Sequence, residues 1–269
     1  MYILGRTQMI PTDSYEDAVR RIMAKGFDGV EIGIYNREFE IRESFFEEDF
    51  PERMKACMAE NGVKAYSVGA HMDYTESEEK LRAIIKAVGV AAKLGAKQMI
   101  INGAIRKEEL TFEEQWDKLI ADTKLICAEA EKQNVYLAME FEPGFVADNT
   151  EKMLKAFKEI HSPMLLVNAD IGHVFLQDED PMAALEKCRG LVVHAHLENM
   201  AKGVHNHLIP WEGDMDLKAY LTKLKEIGFD GNASLDVYQY DYEAVAEESV
   251  AYLKKVLAEI ENEESRLSL

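Results

Sequence analysis

The sequence predicts a single-domain (β/α)8 barrel of the α/β class. Eight short apolar segments each precede a segment whose apolar residues recur at helical spacing, and this alternation continues along the chain. The strand segments are unbroken apolar runs, such as 164–167 and 191–193, which are typical of parallel strands buried on both faces. No linker or change of composition divides the chain, so we expect residues 1–269 to form one domain.

An open, doubly wound sheet is the main alternative architecture. Such sheets usually carry a glycine-rich phosphate loop after the first strand. Here the first strand is followed by Gly5-Arg6-Thr7-Gln8, which is not rich in glycine. The closed barrel is therefore the favoured interpretation.

The first four strand–helix units occupy residues 2–132. Asp13 or Ser14 caps the first helix, because a short polar side chain there can accept a backbone N–H. Gly26 closes the first helix and Gly95 the third, as C-cap glycines do. The predicted strands are 2–4, 28–34, 63–71 and 97–102, and the predicted helices are 14–25, 51–62, 77–93 and 112–132.

The last four units occupy residues 134–260. Asn149 caps the fifth helix and Pro181 opens the sixth, while Gly190 and Gly228 end the sixth and seventh. The predicted strands are 134–140, 164–170, 191–196 and 232–237, the predicted helices are 150–160, 181–188, 217–227 and 242–260, and a frayed tail is predicted at 261–269.

The amino-acid composition limits the classes of molecule that the protein is expected to bind. A net charge of −19 disfavours binding to the phosphate backbone of nucleic acid. No segment approaches the roughly 18 apolar residues of a membrane helix, and the first residues lack the pattern of a signal peptide. The 3 cysteines are scattered, which is typical of reduced thiols. We therefore expect a cytoplasmic protein that binds neither nucleic acid nor membranes.

Most of the histidines occur in one stretch, HAHLENMAKGVHNHLIPWEGDMD at 194–216. It follows the apolar run Leu191-Val192-Val193, which is a predicted strand. Imidazole is the commonest neutral metal ligand near neutral pH, and acidic residues end the same stretch. The stretch therefore indicates a divalent metal site rather than a histidine-rich surface loop.

Polar residues stand at or near the ends of most predicted strands. In a parallel barrel these ends meet at one mouth, where active sites form. Side chains from four adjacent strands are expected to converge there on one cation. The strand-end residues are Glu31, His71 and Asn102, followed by the four proposed metal ligands Glu140, Asp170, His196 and Asp236.

Three carboxylates and one imidazole form an oxygen-rich ligand set. Such a set suits Mn²⁺, Mg²⁺ or Co²⁺ better than a structural zinc, which prefers closed sets of cysteine and histidine. We expect a divalent metal cofactor, either one of these three ions or a catalytic Zn²⁺. It can hold the oxygens of a sugar and stabilise an enediolate, while carboxylates remove and return a proton.

Four motifs resemble those of the xylose-isomerase-like TIM-barrel superfamily. They are GFDGVEI at 26–32, LAMEFEPG at 137–144, NADIGH at 168–173, and HAHLEN followed by WEGDMD within 194–216. The resemblance covers essentially the whole chain. The superfamily contains sugar and sugar phosphate isomerases, ketose 3-epimerases, inositol-catabolism enzymes and type IV AP endonucleases, so the motifs say little about the substrate.

The resemblance implies roles for individual residues. Glu140, Asp170, His196 and Asp236 would bind the metal. His173 would lie beside it and contact a substrate oxygen, and Glu140 and Asp236 would double as an acid/base pair. The superfamily favours glutamate at the last position, so the shorter Asp236 reaches less far towards a substrate. The resemblance also implies a small carbohydrate substrate and a homo-oligomer.

The endonuclease branch of the superfamily holds three metals, and most of its pattern occurs here. That pattern has histidine at the position of Asn102 and aspartate at the position of His205. It implies a second metal site formed by His173, His205 and His207, close to His71. The net charge of −19 argues against DNA as the substrate.

Four residues are candidate substrate contacts. Lys202 is the nearest cation in the sequence and would pair with a substrate phosphate, while Trp211 either stacks on a sugar or fills the loop. His71 is either a substrate contact or a neutral core histidine. Glu31 is either a substrate contact or part of an ion pair at the barrel rim.

The alternation of side chains along a strand predicts where two further residues, His194 and Glu142, are located. His194 shares its face with His196, so we expect it one layer deeper, in a structural role. Glu142 shares its face with Glu140 and replaces it as a ligand if the fifth strand ends later.

The leading functional hypothesis is a metal-dependent isomerase or epimerase acting on a small sugar, sugar phosphate or polyol. The alternative is a multi-metal hydrolase or lyase of the endonuclease-IV-like branch, acting on a substrate other than DNA. The shortened Asp236 leaves open a third hypothesis, a barrel that binds sugars without catalysis.

Overall fold

The computed structural model describes residues 1–267, and its eight parallel strands close into one barrel. Each strand pairs with the next along the chain, and the eighth returns to pair with the first. This closed sheet confirms the predicted barrel over the doubly wound alternative. The strands are β1 Tyr2–Arg6, β2 Gly29–Gly33, β3 Ala65–Ala70, β4 Gln98–Ile101, β5 Tyr136–Met139, β6 Leu165–Asp170, β7 Val192–Leu197 and β8 Asn232–Leu235.

The helices alternate with the strands along the chain and cover the outside of the barrel. Within residues 1–267, no helix combines the length and the apolar character needed to cross a membrane. The helices are α1 Tyr15–Met23, α2 Phe50–Glu60, α3 Glu78–Leu94, α4 Phe112–Gln133, α5 Thr150–Ile160, α6 Ile171–Gln177, α7 Pro181–Lys187, α8 Leu217–Glu226 and α9 Tyr242–Leu267, and short 3₁₀ helices span Thr7–Met9 and Glu43–Phe46.

Side-chain caps begin two helices where the sequence predicted them. Ser14 and Asn149 accept hydrogen bonds from the backbone N–H groups of Asp17 and Lys152. Gly95 follows the last residue of α3 with a φ of 82°, a left-handed conformation that glycine adopts without steric cost. These local signals explain why the boundaries of most of the predicted helices are correct to within a few residues.

The first strand is longer than predicted. The prediction ended it at Leu4, because the following residues resemble a polar loop. In the structure Arg6 is the last residue of β1, is buried, and pairs in register with Glu31 of β2. The extra residues place a guanidinium group inside the mouth of the barrel.

The last helix is also longer than predicted. The predicted frayed tail is wrong for residues 261–267, which continue α9, and residues 268–269 lie outside the described part of the chain. Ion pairs join this segment to α8: Lys218 Nζ lies 2.6 Å from Glu263, and Lys225 Nζ lies 3.4 Å from Glu261. These contacts with a neighbouring helix are invisible to a local prediction.

The short helix α6 was not predicted. It begins directly after β6, and the side chain of Asp170 accepts the backbone N–H of His173 at 2.7 Å. The same aspartate therefore ends a strand and caps a helix. This turn brings the side chains of both residues to the same end of the barrel.

Gly29 of β2 occupies a position that has no room for a side chain, because a Cβ there would lie 1.7 Å from the carbonyl oxygen of Ala65. We expect Gly29→Ala to lower the free energy of unfolding by about 3 kcal/mol, since the paired strands must separate. The control is Gly89→Ala in α3, where a Cβ meets nothing within 4 Å. Helix propensity predicts a gain of about 1 kcal/mol for this control. Urea unfolding followed by circular dichroism measures both, and equal stabilities would contradict the expectation.

Candidate functional site

The C-terminal ends of the strands surround a cavity of about 180 Å³. Active sites of parallel barrels form at this end. We call this cavity the cup. It is lined by Arg6, Phe39, His71, Glu140, Glu142, His173, His205, His207, Asp236 and Tyr238.

The four predicted metal ligands come together around one nitrogen of His196. Its Nδ1 lies 2.9 Å from Glu140 Oε2, 3.8 Å from Asp170 Oδ2 and 3.7 Å from Asp236 Oδ2. Glu140, Asp170 and His196 have ligand atoms within 4.8 Å of one another and could hold a cation, whereas Asp236 meets that spacing in a neighbouring group with Asp170, Glu198 and His207. The structure therefore brings together residues that β5, β6, β7 and β8 contribute from distant parts of the chain.

The chemistry of these donors fits a divalent cation. Asp170 Oδ2 is buried and has no hydrogen-bond partner, so a carboxylate oxygen is free at the centre of the group. Burial alone would lower the pKa of His196, but Glu140 and Glu31 outweigh it and hold that pKa well above its ordinary value. A metal ligand must lose this proton, and the cation then supplies the positive charge instead.

Hydrogen bonds fix Glu140 from several sides. His71 Nε2 lies 3.2 Å from one carboxylate oxygen, and His173 Nδ1 lies 3.3 Å from the other. Asn168 donates to the same carboxylate from the neighbouring strand. Burial raises the pKa of Glu140, but His196 and the other histidines outweigh it and hold this pKa well below its usual range. Glu140 is therefore an ionised and precisely oriented group.

Glu142, the alternative ligand, has a different environment. β5 ends at Met139, so Glu140 follows the strand directly and Glu142 lies beyond it. Glu142 accepts a hydrogen bond from Asn102 Nδ2 at 3.1 Å, and burial raises its pKa. These contacts favour Glu140 over Glu142 as the ligand from this strand.

Arg6 is the largest omission from the site predicted by sequence. Its Nε lies 3.1 Å from Glu31 Oε1, and its Nη1 forms an ion pair with Asp236. Its Nη2 lies 3.2 Å from both Tyr35 Oη and His71 Nδ1. Burial alone would lower the pKa of Arg6, but the two carboxylates raise it well above its ordinary value. The ion pair of Glu31 is thus inside the barrel mouth and not at an exposed rim.

Of the four predicted substrate contacts, only His71 lines the cup in the part of the chain that the structure describes. Glu31 is completely buried behind it. Trp211 packs against Tyr252 of α9, with ring centroids 5.6 Å apart, and Lys202 is exposed on the loop after β7. The positions of Glu31, Trp211 and Lys202 therefore do not support the predicted substrate contacts, because their side chains are directed to other partners or to solvent.

The histidines of the predicted second metal site also come together. His205 Nε2 lies 3.0 Å from His173 Nε2 and 3.1 Å from His207 Nε2. Burial and the two neighbouring imidazoles lower the pKa of His205 to about 4. A neutral imidazole is the form that binds metal. Burial alone would lower the pKa of His173, but Asp170 and Glu140 outweigh it and raise this pKa to about 10, so a cation held by the three grouped histidines would have to displace that proton.

His194 lies deeper in the barrel than His196, as the alternation along the strand predicted. Its Nε2 lies 3.1 Å from the hydroxyl of Ser67 and 3.3 Å from that of Ser234, and its Nδ1 lies 2.8 Å from Asn168 Oδ1. Burial lowers the pKa of His194 to about 3. This histidine is a neutral, hydrogen-bonded support for the layer above it.

Three other residues of the site escaped prediction. Phe39 lines the cup with a φ of 60°, and no local sequence signal indicated its place there. Tyr238 and Glu198 carry such a signal, because they follow Asp236 and His196 by two residues and so share their faces. Extending the alternation past the predicted strand ends would have found both.

Comparisons with known proteins agree with this architecture. A family model described as xylose isomerase-like TIM barrel matches residues 19–256. The chain is similar to 3-dehydroshikimate dehydratase of Bacillus anthracis, with 22% identity over 204 residues that cover 72% of this chain and 70% of the relative. It is also similar to L-ribulose-5-phosphate 3-epimerase UlaE of Salmonella paratyphi C, with 23% identity over 261 residues that cover 90% and 92% of the two chains.

Solved structures show the same fold. A D-tagatose 3-epimerase-like protein superposes with a TM-score of 0.82 and 21% identity, covering 98% of this chain and 99% of that one. A crystal structure of the IOLI protein with a zinc atom superposes with a TM-score of 0.78 and 17% identity, covering 97% and 98%. At these identities the likeness shows the fold alone.

Replacing Arg6 tests how strongly the mouth of the barrel depends on its charge. Arg6→Met leaves the carboxylates of Glu31 and Asp236 buried without their partner, so we expect a loss of about 3–5 kcal/mol in the free energy of unfolding. The control Arg189→Met removes an exposed ion pair with Glu186, which we expect to matter far less. Denaturation of the chelator-treated proteins measures both. Similar stabilities for the two variants would refute the role of Arg6.

Proposed function

Because the chain belongs to the xylose isomerase-like TIM barrel family, we propose that it is a divalent-metal-dependent isomerase or epimerase acting on a small sugar, sugar phosphate or polyol. The convergence of Glu140, Asp170 and Asp236 on His196 carries this proposal. Relatives named as fructoselysine 3-epimerase and L-ribulose-5-phosphate 3-epimerase support the reaction class. The IOLI structure with zinc supports a metal in this fold.

The proposed reaction moves a proton at a carbon next to a carbonyl group, through an enediolate. A bound divalent cation supplies Lewis acidity that stabilises the negative charge developing on the substrate oxygens. The cup, at about 180 Å³, is smaller than the roughly 300–1,000 Å³ of sites for drug-sized ligands, which supports a small substrate. The proposed metal ligands are Glu140, Asp170, His196 and Asp236.

Glu140 and Asp236 are the proposed acid/base pair. They follow β5 and β8, which lie three strands apart in the barrel, so they approach a substrate from different directions. Burial raises the pKa of Asp236, but Arg6 outweighs it and lowers this pKa, so both carboxylates are ionised near neutral pH. One carboxylate, ionised, removes the proton. The other must first take up a proton from solvent when the substrate binds, and it then delivers that proton to the opposite face of the carbon, which leaves the two protonation states exchanged. His173, which lines the cup, contacts a substrate oxygen, and His71 is the proposed neighbouring contact.

Deuterium exchange tests this function. The Mn²⁺-loaded protein, incubated with a panel of ketoses and ketose phosphates in D₂O, is expected to introduce deuterium next to the carbonyl and to form an isomer. Glu140→Gln and Asp236→Asn should each slow the reaction by about 100- to 10,000-fold, since each removes a proton carrier. Glu186→Gln, an exposed change on α7, is the control and should leave the rate unaltered. Absence of exchange and of isomer with every substrate would exclude the proposal.

A multi-metal hydrolase or lyase of the endonuclease-IV-like branch is the second candidate function. The group of His173, His205 and His207 favours it, because three imidazoles at this spacing add a metal site to the carboxylate set. Relatives named as 3-dehydroshikimate dehydratase and inosose dehydratase support lyase chemistry. The net charge of −19 favours a substrate other than DNA.

The number of bound metal ions distinguishes this second function from the proposed isomerase or epimerase. If the three histidines hold a metal, His205→Ala should release one equivalent of Zn²⁺ and abolish any water elimination or phosphate ester hydrolysis. His161→Ala, which changes an exposed histidine at the end of α5, should retain both metal and activity. Elemental analysis after desalting measures the ions. Equal metal content in the two variants would remove the multi-metal function.

A further inference from the structure

We propose that Glu198 binds a divalent cation directly, together with Asp170, Asp236 and His207, at a second cation site that shares Asp170 and Asp236 with the Glu140–His196 group. The sequence motifs did not indicate such a role for Glu198. The inference concerns cation binding alone. It therefore stands or falls separately from the proposed reaction.

The first observation is a pair of carboxylates that are each anchored by one oxygen. Gly172 N–H donates to Glu198 Oε1 at 2.6 Å, and His173 N–H donates to Asp170 Oδ1 at 2.7 Å. The other oxygens, Glu198 Oε2 and Asp170 Oδ2, are buried and have no hydrogen-bond partner. A buried carboxylate oxygen without a partner is costly, so these two atoms indicate a missing positive partner.

Asp236 and His207 complete the group in the same way. Arg6 pairs with Asp236 Oδ1, while Asp236 Oδ2 lies 3.7 Å from His207 Nδ1. His207 Nδ1 is also buried without a hydrogen-bond partner, because the Nε2 atom is the one that faces His205. One ligand atom from each of the four residues lies within 4.8 Å of the others. Three of these four residues thus each carry a buried atom without a hydrogen-bond partner.

The absence of a side chain at Gly172 leaves the space that the Glu198 carboxylate occupies. A Cβ at residue 172 would lie 2.4 Å from Glu198 Oε1 and 2.4 Å from the terminal methyl carbon of Met200. The missing side chain lets the backbone N–H of Gly172 reach the carboxylate and orient it. Glu198 is therefore held in place by the backbone rather than filling space by chance.

The charges at the mouth of the barrel leave room for a second cation. Five carboxylates are buried there against one buried guanidinium, that of Arg6. The carboxylates therefore outnumber the fixed positive charge, and a cation beside Glu198 would offset part of the excess. The buried carboxylates are Glu31, Glu140, Asp170, Glu198 and Asp236.

The donor set selects the class of cation. Three carboxylates and one imidazole form a hard, oxygen-rich site, which suits Mn²⁺ or Mg²⁺ better than a softer ion. Mn²⁺ is the better probe, because its unpaired electrons allow free and bound ions to be counted by electron paramagnetic resonance. Calorimetric titration of the same samples gives the affinity.

The test titrates chelator-stripped protein with Mn²⁺ alone. The wild type is expected to bind two equivalents, and Glu198→Gln should lose one of them or bind it at least about tenfold more weakly. The matched control is Glu142→Gln, which removes a carboxylate from the same cup but outside the four-residue group. It should keep both equivalents. Wild-type binding by Glu198→Gln, or equal weakening by both variants, would overturn the proposal.

A second variant keeps every charge. Gly172→Ala displaces the Glu198 carboxylate sterically, so it should also lose or weaken one equivalent of Mn²⁺. If circular dichroism shows that Glu198→Gln does not fold, the Mn²⁺ titration of Gly172→Ala tests the site instead. Unaltered Mn²⁺ binding by Gly172→Ala would then refute the site. Two bound ions without deuterium exchange support this site and contradict the proposed reaction. Deuterium exchange with a single bound ion would support the proposed reaction and contradict this site.

Discussion

Repulsion between buried carboxylates is the constraint around which the mouth of the barrel is built. Five acidic side chains lie out of solvent at the ends of β2, β5, β6, β7 and β8, where an unpaired charge is expensive. Arg6 pairs with two of them and offsets one negative charge, and protonation of His196 offsets another. A divalent cation bound there would replace that proton with a fixed positive charge. Metal binding would thus relieve the repulsion that the fold imposes.

The barrel also supplies the rigid donors that orient these acids. Asn168 bridges Glu140 and His194 from one layer below, and the backbone of α6 holds Asp170 and Glu198. Each of these donors belongs to a regular element or to the residue that follows one. Carboxylates fixed in this way keep their geometry while protons and ligands exchange, which a site built on mobile loops does not achieve.

The similar proteins include both epimerases and dehydratases, and the chemistry of the cup accommodates both. Each reaction can begin with removal of a proton next to a carbonyl group. An epimerase then returns a proton, whereas a dehydratase expels a hydroxyl group. Beyond its carboxylates, the cup also holds the three grouped histidines. Fold alone does not choose between the two reactions.

By itself, the sequence determined the eight strand–helix units and the cap at Asn149, because these follow from local periodicity. It narrowed the first cap to Asp13 or Ser14, and it predicted that polar residues at the strand ends would lie at one mouth of the barrel. Only the tertiary structure decided that Arg6 pairs with Asp236, which is 230 residues away in the chain. It also decided that Trp211 packs on α9 and that Gly172 makes room for Glu198. Such contacts join residues that the fold brings together, so the sequence around either residue does not indicate its partner.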